Sequence, residues 1–333
     1  MTFRQKTTQY APATIGQRPA ALSRLLNDLP LEDCDSKVLS LLDAIATGQM
    51  DARGLWLAER EGELVDALWW LPQPDGVALV WLAPETLTAS SAAVRGELLT
   101  AACQQMDAEH VAVSQILTEP SDPWSPPLLQ AAAYHQTVTL QFWARSLTDL
   151  SEPSPPPESH LESVGFEFGD REQQFVNVLA ATYQESLDCP EFTPMRTAQQ
   201  ALDCHRQCGT FEPELWRLFL HQELPVGLVL VADHPDQDAV ELMYFGITPA
   251  ARGQGYGEQM LQWALREGKS RERETLFLAA DTRNHYAQRL YKKTGFLGLS
   301  QRQVWWRFAS PTKWKSLTQY AHDLGTSGNL GAR

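Results

Sequence analysis

Residues 244–268 read YFGITPAARGQGYGEQMLQWALREG. The apolar run 240–247 that leads into this stretch reads as a strand, and a helix is expected over 258–268. Between them, Arg252-Gly-Gln-Gly-Tyr-Gly257 sets three glycines at alternate positions. Such a loop lets the backbone come close to a ligand, and the helix start behind it offers unpaired N–H donors with partial positive charge, which together make a cradle for a diphosphate. The loop lacks the Lys-Ser/Thr of a nucleotide P-loop. It also opens the helix after the third or fourth strand of its unit rather than the first, which counts against a dinucleotide fold. Taken alone, it is equally readable as a structural turn.

Upstream, residues 172–185 carry Phe175, Val178, Leu179, Thr182 and Tyr183 at helical spacing, and a second helix is expected over 197–207. Residues 215–220, 226–232 and 240–247 read as strands separated by turn-rich segments. Downstream come a buried strand at 276–280, a helix at 285–294 and a closing strand at 302–308. The order is ααβββαβαβ. The first half repeats it: a shift of about 162 residues lays Leu128, Ala133, Tyr134, Trp143 and Arg145 on Leu290, Gly295, Phe296, Trp305 and Arg307. Between the halves, residues 151–159 read SEPSPPPES, a stiff proline-rich spacer.

The 333 residues suit two domains, and 43% apolar content with 11 Trp and 12 Phe is enough to build two cores. A net charge of −14 gives no footprint for a phosphate backbone, so nucleic acid is not expected as a partner. An acidic surface draws amine-bearing substrates, and it is also an ordinary means of solubility. No apolar stretch reaches the ~20 residues needed to cross a bilayer, and residues 1–19 show no secretory pattern. Five scattered cysteines fit reduced thiols, so a cytoplasmic location without membrane partners is expected.

Two patterns taken together are more specific than the loop. Ile247-x-Pro249-x-x-Arg252-Gly-x-Gly-x-Gly is followed about thirty residues later by Asn284-x-x-Ala287-x-x-Leu290-Tyr291-x-x-x-Gly295-Phe296. This pairing, over residues 165–308, resembles the GNAT superfamily of acyl-CoA-dependent N-acetyltransferases, whose element order is the one read above. The resemblance implies an α/β (α+β) chain of two tandem GNAT-fold domains, each a mixed, mostly antiparallel sheet flanked by helices. Residues 1–150 would form a degenerate, structural copy, 151–163 the linker, 164–310 the catalytic copy and 311–333 a tail.

The resemblance also implies roles. The amides of Gly253, Gln254, Gly255, Tyr256, Gly257 and Glu258, with Arg252 in the same motif, would hold the diphosphate of acetyl-CoA, the cosubstrate; no metal is implied. The backbone of Phe245, Gly246 and Ile247 would pair with the pantetheine arm, and Asn284 would contact it. Glu241, eleven residues before Arg252, stands where the histone-acetylating branch keeps its catalytic glutamate. It is read as the base that deprotonates the amine, against a glutamate that simply faces solvent. Tyr291 is read as the acid that protonates the departing thiolate, against a packing aromatic. Tyr183, Glu185, Asp188 and Glu191 fall in the region that lines the acceptor site in the family; Tyr183, Asp188 and Glu191 are the candidate substrate contacts, against an acidic loop in solvent.

The first half departs from this pattern. Leu129 stands at the Tyr291 position, Val77, Ala78 and Leu79 cover that of Glu241, and 90–95 (SSAAVR) replaces the glycines. This copy is not expected to bind CoA; it would stand in for the second subunit of a GNAT dimer, which suggests a monomer. Cys204-His205-x-x-Cys208 reads as ordinary helix rather than a metal fragment, because only the two cysteines share a helical face. Of each of the pairs Trp69-Trp70 and Trp305-Trp306, one member is expected in the core. The expected function is transfer of an acetyl or short acyl group to a primary amine of a small molecule or peptide. Two alternatives stand beside it: a non-catalytic acyl-CoA sensor, and an enzyme like mycothiol synthase, which has the same doubled arrangement.

Overall fold

The structure, a computed structural model, describes residues 7–73, 76–84, 88–150 and 161–309. Most of the expected spacer, 151–160, and the expected tail, 311–333, lie outside them. In chain order the elements are β1 (Thr8–Pro12), α1 (Arg18–Leu25), α2 (Leu31–Ala46), β2 (Leu55–Arg60), β3 (Glu63–Pro72), β4 (Val77–Leu82), α3 (Ala89–Ala108), β5 (Val113–Thr118), α4 (Ser125–Ala131) and β6 (His135–Ser146). They continue with β7 (Glu162–Gly165), α5 (Asp170–Thr182), α6 (Ala198–His205), β8 (Trp216–His221), β9 (Leu224–His234), β10 (Ala239–Ile247), α7 (Tyr256–Ser270), β11 (Thr275–Asp281), α8 (His285–Lys293) and β12 (Leu297–Phe308). They form two compact units that do not divide at one point in the chain. One takes the described residues up to Thr137 together with 303–309, and the other takes 138–150 and 161–302.

In the first unit, antiparallel pairing joins β1, β2, β3 and β4, and β4 runs parallel to β5. The far side of β5 is closed by the last part of β12, with Gln303 opposite Thr118 and Phe308 opposite Val113. Two apolar clusters flank the strands. One gathers Leu22 and Leu25 of α1 and Val38 and Leu41 of α2 on Trp69; the other gathers Leu98 and Leu99 of α3 and Leu129 of α4 on Trp70 and Trp305. Both members of each tryptophan pair are therefore buried, at 0–2% exposure, where one of each was expected in the core. The expectation assumed one wet face, but helices cover both faces of this sheet, and neighbouring residues on a strand feed opposite layers. Where the second half has glycines, α3 carries Arg95. It is buried, and its guanidinium is held by both carboxylate oxygens of Asp66 at 2.7 and 2.8 Å.

The second unit orders its strands β6-β11-β10-β9-β8-β7, all antiparallel except β10 beside β11. The run 226–232 of β9 is buried throughout, as a central strand covered on both faces must be. The helix expected over 258–268 starts two residues earlier and buries Met260, Leu261, Ala264 and Leu265 along one stripe. Each such leucine contributes about 2 kcal/mol through apolar burial. Two strands differ from the sequence reading. Four-residue β7 is too short to show periodicity, and β12 is a twelve-residue strand whose second half belongs to the first unit. Conversely, Trp143 and Leu147, from the first half of the sequence, sit in the core of the second unit.

Candidate active site

The site begins with the way β10 is paired. Along one edge it follows β9 from Ala239 opposite His234 to Ile247 opposite Gly227, with the register slipping between Leu242 and Tyr244. Along the other edge only residues 239–241 pair, with 275–277 of β11. The extra residue, Met243, bends the strand at the point where the parallel pairing stops. Past Glu241 the second edge of β10 has no strand partner among the described residues, so the backbone of Tyr244, Phe245, Gly246 and Ile247 is open to an added extended chain. Gly246 is required by close approach: a Cβ there would lie 2.9 Å from the side chain of Thr182 at the end of α5.

The open edge runs directly into the glycine loop. Gly253 and Gly255 have φ of +77° and +80° with open space where a Cβ would stand, so their task is conformation. Gly257 differs. A Cβ there would meet Ile247 at 3.1 Å and Leu290 at 3.2 Å, so it lets α7 pack closely on β10 and α8. Gly255 is the N-cap of α7 and provides no side-chain acceptor, which leaves the amides of the first turn uncapped at the positive end of a fifteen-residue helix. Phosphate oxygens are the natural acceptors there. The flanking side chains are occupied elsewhere. Gln254 donates to the carbonyl of Ala250, Glu258 pairs with Lys293 at 2.6 Å, and Tyr256 is buried with its ring 5.4 Å from that of His221. Arg252 donates to the carbonyls of Ile247, Thr182, Gln184 and Glu185, so its guanidinium holds the end of α5 against the end of β10.

Glu241 lies on β10 just before the slip, and its carboxylate is 3.1 Å from Nε2 of His234 on the paired strand. Burial raises its pKa, opposed by the charge and hydrogen bond of His234, while 32% of the side-chain surface stays exposed. Tyr291 on α8 is buried between Trp143 and Phe296, with ring centres 6.1 and 5.6 Å away. Burial, and then the carboxylate of Asp188, push its phenol well above the usual value. Asn284 caps α8, its Oδ1 accepting from the amide of Ala287 at 3.2 Å.

The loop after α5 is tied to the end of β11. Asp188 accepts from the amide of Asp281 at 2.7 Å, and the amide of Cys189 donates back to Asp281 at 3.1 Å. Cys189 takes a left-handed φ of 46° to do so. Asp188 keeps surface open to solvent, yet the protein packed round its carboxyl raises its pKa to about 6, with the Asp281 amide opposing and the Asp281 carboxylate adding to the rise. Glu191 is buried and engaged: Arg283 grips both its oxygens at 2.6 and 2.8 Å while also holding Asp281. Glu185 has a φ of 53° and its carbonyl accepts from Arg252. The ring of Tyr183 meets that of Tyr244 edge-on at 5.9 Å. Sequence reasoning missed His234 and Arg283. Both are single residues whose importance lies in a partner 7 and 92 positions away, and a run of sequence carries no trace of such pairings.

Cys208 donates to the carbonyl of Cys204, and among the described residues no three His, Cys, Asp or Glu side chains are grouped to hold a metal ion. No described helix is long and apolar enough to cross a membrane. A groove of about 680 Å3 lies in the first unit, along α3 and α4, walled in part by alanines and without the open edge and glycine turn of the second unit.

Comparison with known proteins fits this geometry. The family model described as acetyltransferase (GNAT) matches residues 179–296, the span that holds β10, the glycine loop, α7 and α8. No curated protein sequence matches the chain significantly. Among solved structures, a GCN5-related N-acetyltransferase from Sphaerobacter thermophilus matches with a TM-score of 0.68 at 17% identity, covering 91% of this chain and 96% of that one. A tandem GNAT protein from the clavulanic acid biosynthesis pathway matches with a TM-score of 0.52 at 16% identity, over 92% and 99%. The glucosamine N-acetyltransferase region of a fungal multi-domain β-N-acetylglucosaminidase matches with a TM-score of 0.60 at 9% identity, over 91% and 38%. Residues 179–296 thus match the GNAT acetyltransferase family model, and the fold of the chain is that of GNAT structures, a tandem GNAT protein among them.

Proposed function

We propose that the second unit transfers an acetyl or short acyl group from CoA to a primary amine. The observation that carries this reading is the continuity of the open edge of β10 with the uncapped start of α7: a groove for an extended arm that ends at a diphosphate seat. The backbone at residues 244–247 would pair with the pantetheine arm, and the amides of residues 253–258 would take the diphosphate. Arg252 and Asn284 would serve this site from behind, by fixing α5 to β10 and by capping α8. Acetyl-CoA supplies a thioester, a carbonyl already activated toward attack by an amine.

The chain must then supply a base, since an amine is mostly protonated at neutral pH, and an acid for the thiolate that leaves. Glu241 fits the base. Burial makes its carboxylate more basic than a free one, and His234 holds the carboxylate that would take the proton. Tyr291 would be the acid, its phenol lying on the helix that flanks the arm, and the burial that raises its pKa makes it a weaker donor than a free phenol. A backbone amide of the open edge would face the thioester carbonyl. Tyr183 and Asp188 would line the acceptor side. Glu191, held by Arg283, would shape that loop rather than touch the acceptor. The first unit, with Leu129 for Tyr291 and an Arg95–Asp66 pair in place of glycines, would act as structure, and the doubling favours a monomer.

The test is thiol release from acetyl-CoA by the full chain against amino acids, polyamines, aminoglycosides and peptide N-termini. Release that depends on one class of amine supports the transferase. Tight CoA binding with no release under any acceptor supports the sensor reading and overturns this one.

A further inference from the structure

Three adjacent strands of the second unit bring His234, Glu241 and Phe277 to one face of the sheet. Glu241 of β10 lies opposite Ala232 of β9 and Phe277 of β11, while His234, two residues beyond Ala232, lies opposite Ala239. Residues two apart on a strand share a face, so the imidazole reaches the carboxylate on the diagonal, Nε2 to Oε2 at 3.1 Å. Two further contacts hold the imidazole. The ring of Phe277 lies 5.6 Å from it, tilted by 44°. From the segment after α6, Gly209 approaches with a φ of +59°, and next to it the amide of Thr210 donates to the carbonyl of Asp233 at 2.9 Å. A Cβ on Gly209 would stand 2.9 Å from Cε1 of His234 and 3.0 Å from the Cβ of Ala232, so only glycine lets this loop lie against the imidazole. About a third of the Glu241 side-chain surface stays open, at 32% exposure. Its Oε2 is engaged by His234, which leaves Oε1 to meet an acceptor. Around the pair stand the thiol of Cys208, Asp233 with both oxygens gripped by Arg273 at 2.7 and 2.8 Å, and Asp236 and Asp238 on the turn after β9. Phe277 brings no charge from β11.

We propose that His234 is a positioning residue for the transfer step, fixing the Glu241 carboxylate by one oxygen so that the other meets the amine, while Gly209 and Phe277 hold the imidazole to that task. An ionised carboxylate only accepts, so Nε2 of His234 carries the proton of this hydrogen bond. The proton of the amine passes to Oε1 of Glu241 as its N–H bond breaks, and the freed lone pair attacks the thioester carbon. His234 takes no proton in this step. Holding the base in one geometry shortens the search for a productive approach. The charge and hydrogen bond of His234 also oppose the rise that burial imposes on Glu241, which keeps the carboxylate ionised at lower pH than burial alone would allow.

This inference rests on the transferase reading above, and the experiment separates the two. Thiol release from acetyl-CoA is followed across pH with the full chain and the best acceptor among amino acids, polyamines, aminoglycosides and peptide N-termini. His234→Phe, His234→Gln and Gly209→Ala are run beside the natural protein, as is Glu241→Gln alone and combined with His234→Phe. Calorimetric binding of acetyl-CoA checks that the fold persists. His234→Phe should lower kcat/KM at least about tenfold with acetyl-CoA affinity kept. It should also move the acid limb of the profile up by about one pH unit, because Glu241 loses the partner that favours its charged form. His234→Gln offers an amide N–H in place of Nε2–H, so it should restore part of the rate while the limb still moves. Gly209→Ala presses on the imidazole without touching Glu241 and should shift the limb in the same direction. On the Glu241→Gln background, His234→Phe should cost little further. If His234→Phe loses acetyl-CoA binding, the same comparison is read from His234→Gln. An acid limb that stays in place, or a full further loss on the Glu241→Gln background, overturns the positioning role and leaves the transferase standing. A limb that moves with His234→Phe but not with Gly209→Ala overturns the part given to Gly209. No release with any amine from the natural protein overturns the transferase reading and this inference with it.

Discussion

At the scale of single residues, the chemistry proposed for the second unit divides between two groups of opposite task. Tyr291→Phe keeps the ring that packs between Trp143 and Phe296 and removes only the proton, so turnover should fall about 100-fold with CoA affinity unchanged. Single-turnover rates beside calorimetry check this, and an unchanged rate returns Tyr291 to a packing role. Glu241→Gln should lower kcat/KM by a similar factor near neutral pH. The loss should narrow as pH rises, because the amine then arrives already deprotonated; a loss constant across pH contradicts a base at this position. Stability has its own marker in His205. The folded imidazole stays neutral down to about pH 3, whereas the unfolded one takes a proton below about 6.5. Stability is therefore lost as pH falls through that window, and the fall in Tm between pH 6.5 and 4.5 should be smaller in His205→Gln. Residue types and spacing made Glu241, Tyr291 and the glycines legible in the sequence. The pairings were not legible, since His234 meets Glu241 across two strands, Asp188 acts on Tyr291 from a distant loop, and Arg283 grips Glu191 from 92 positions away.

At the scale of elements, the open edge of β10 depends on a one-residue slip, and the start of α7 depends on backbone that only glycine adopts cheaply. Gly255→Ala puts a side chain on a φ of +80° with no clash, so its cost is conformational, about 1–2 kcal/mol, with weaker CoA binding. Gly257→Val meets Ile247, Leu290 and Phe245, and overpacking there should cost about 1–3 kcal/mol of stability. Chemical denaturation and CoA titration of both variants distinguish the two tasks; equal behaviour contradicts the separation. The alternation of glycines could be read from sequence, but the difference between them could not, because it is decided by what stands opposite each Cβ. Helix and strand positions were legible in the second half because apolar periodicity is strong there. The slip at Met243 leaves no pattern, since one residue out of register still reads as strand.

At the scale of the whole molecule, the sequence repeat divides the chain in the middle while the folded units do not. The end of β12 completes the first unit and residues 138–150 complete the second, so each unit takes part of its sheet from the other half of the sequence. A repeat reports which residues correspond, and strand pairing between residues as far apart as Thr275 and Ser146 or Phe308 and Val113 is invisible to it. Trp305→Ala therefore falls on the core of the first unit despite lying in the second half of the sequence. It should cost about 3–5 kcal/mol in unfolding and leave CoA affinity unchanged. A fragment beginning at residue 161 would lack Trp143 and Leu147 from the core of the second unit and should fail to fold. The most direct test of the account is calorimetric titration of the full chain with acetyl-CoA, repeated with Gly255→Ala. One site per chain, weakened by that substitution, is the expected result. No heat, two equivalent sites, or an affinity indifferent to Gly255 would contradict a single CoA seat at the start of α7.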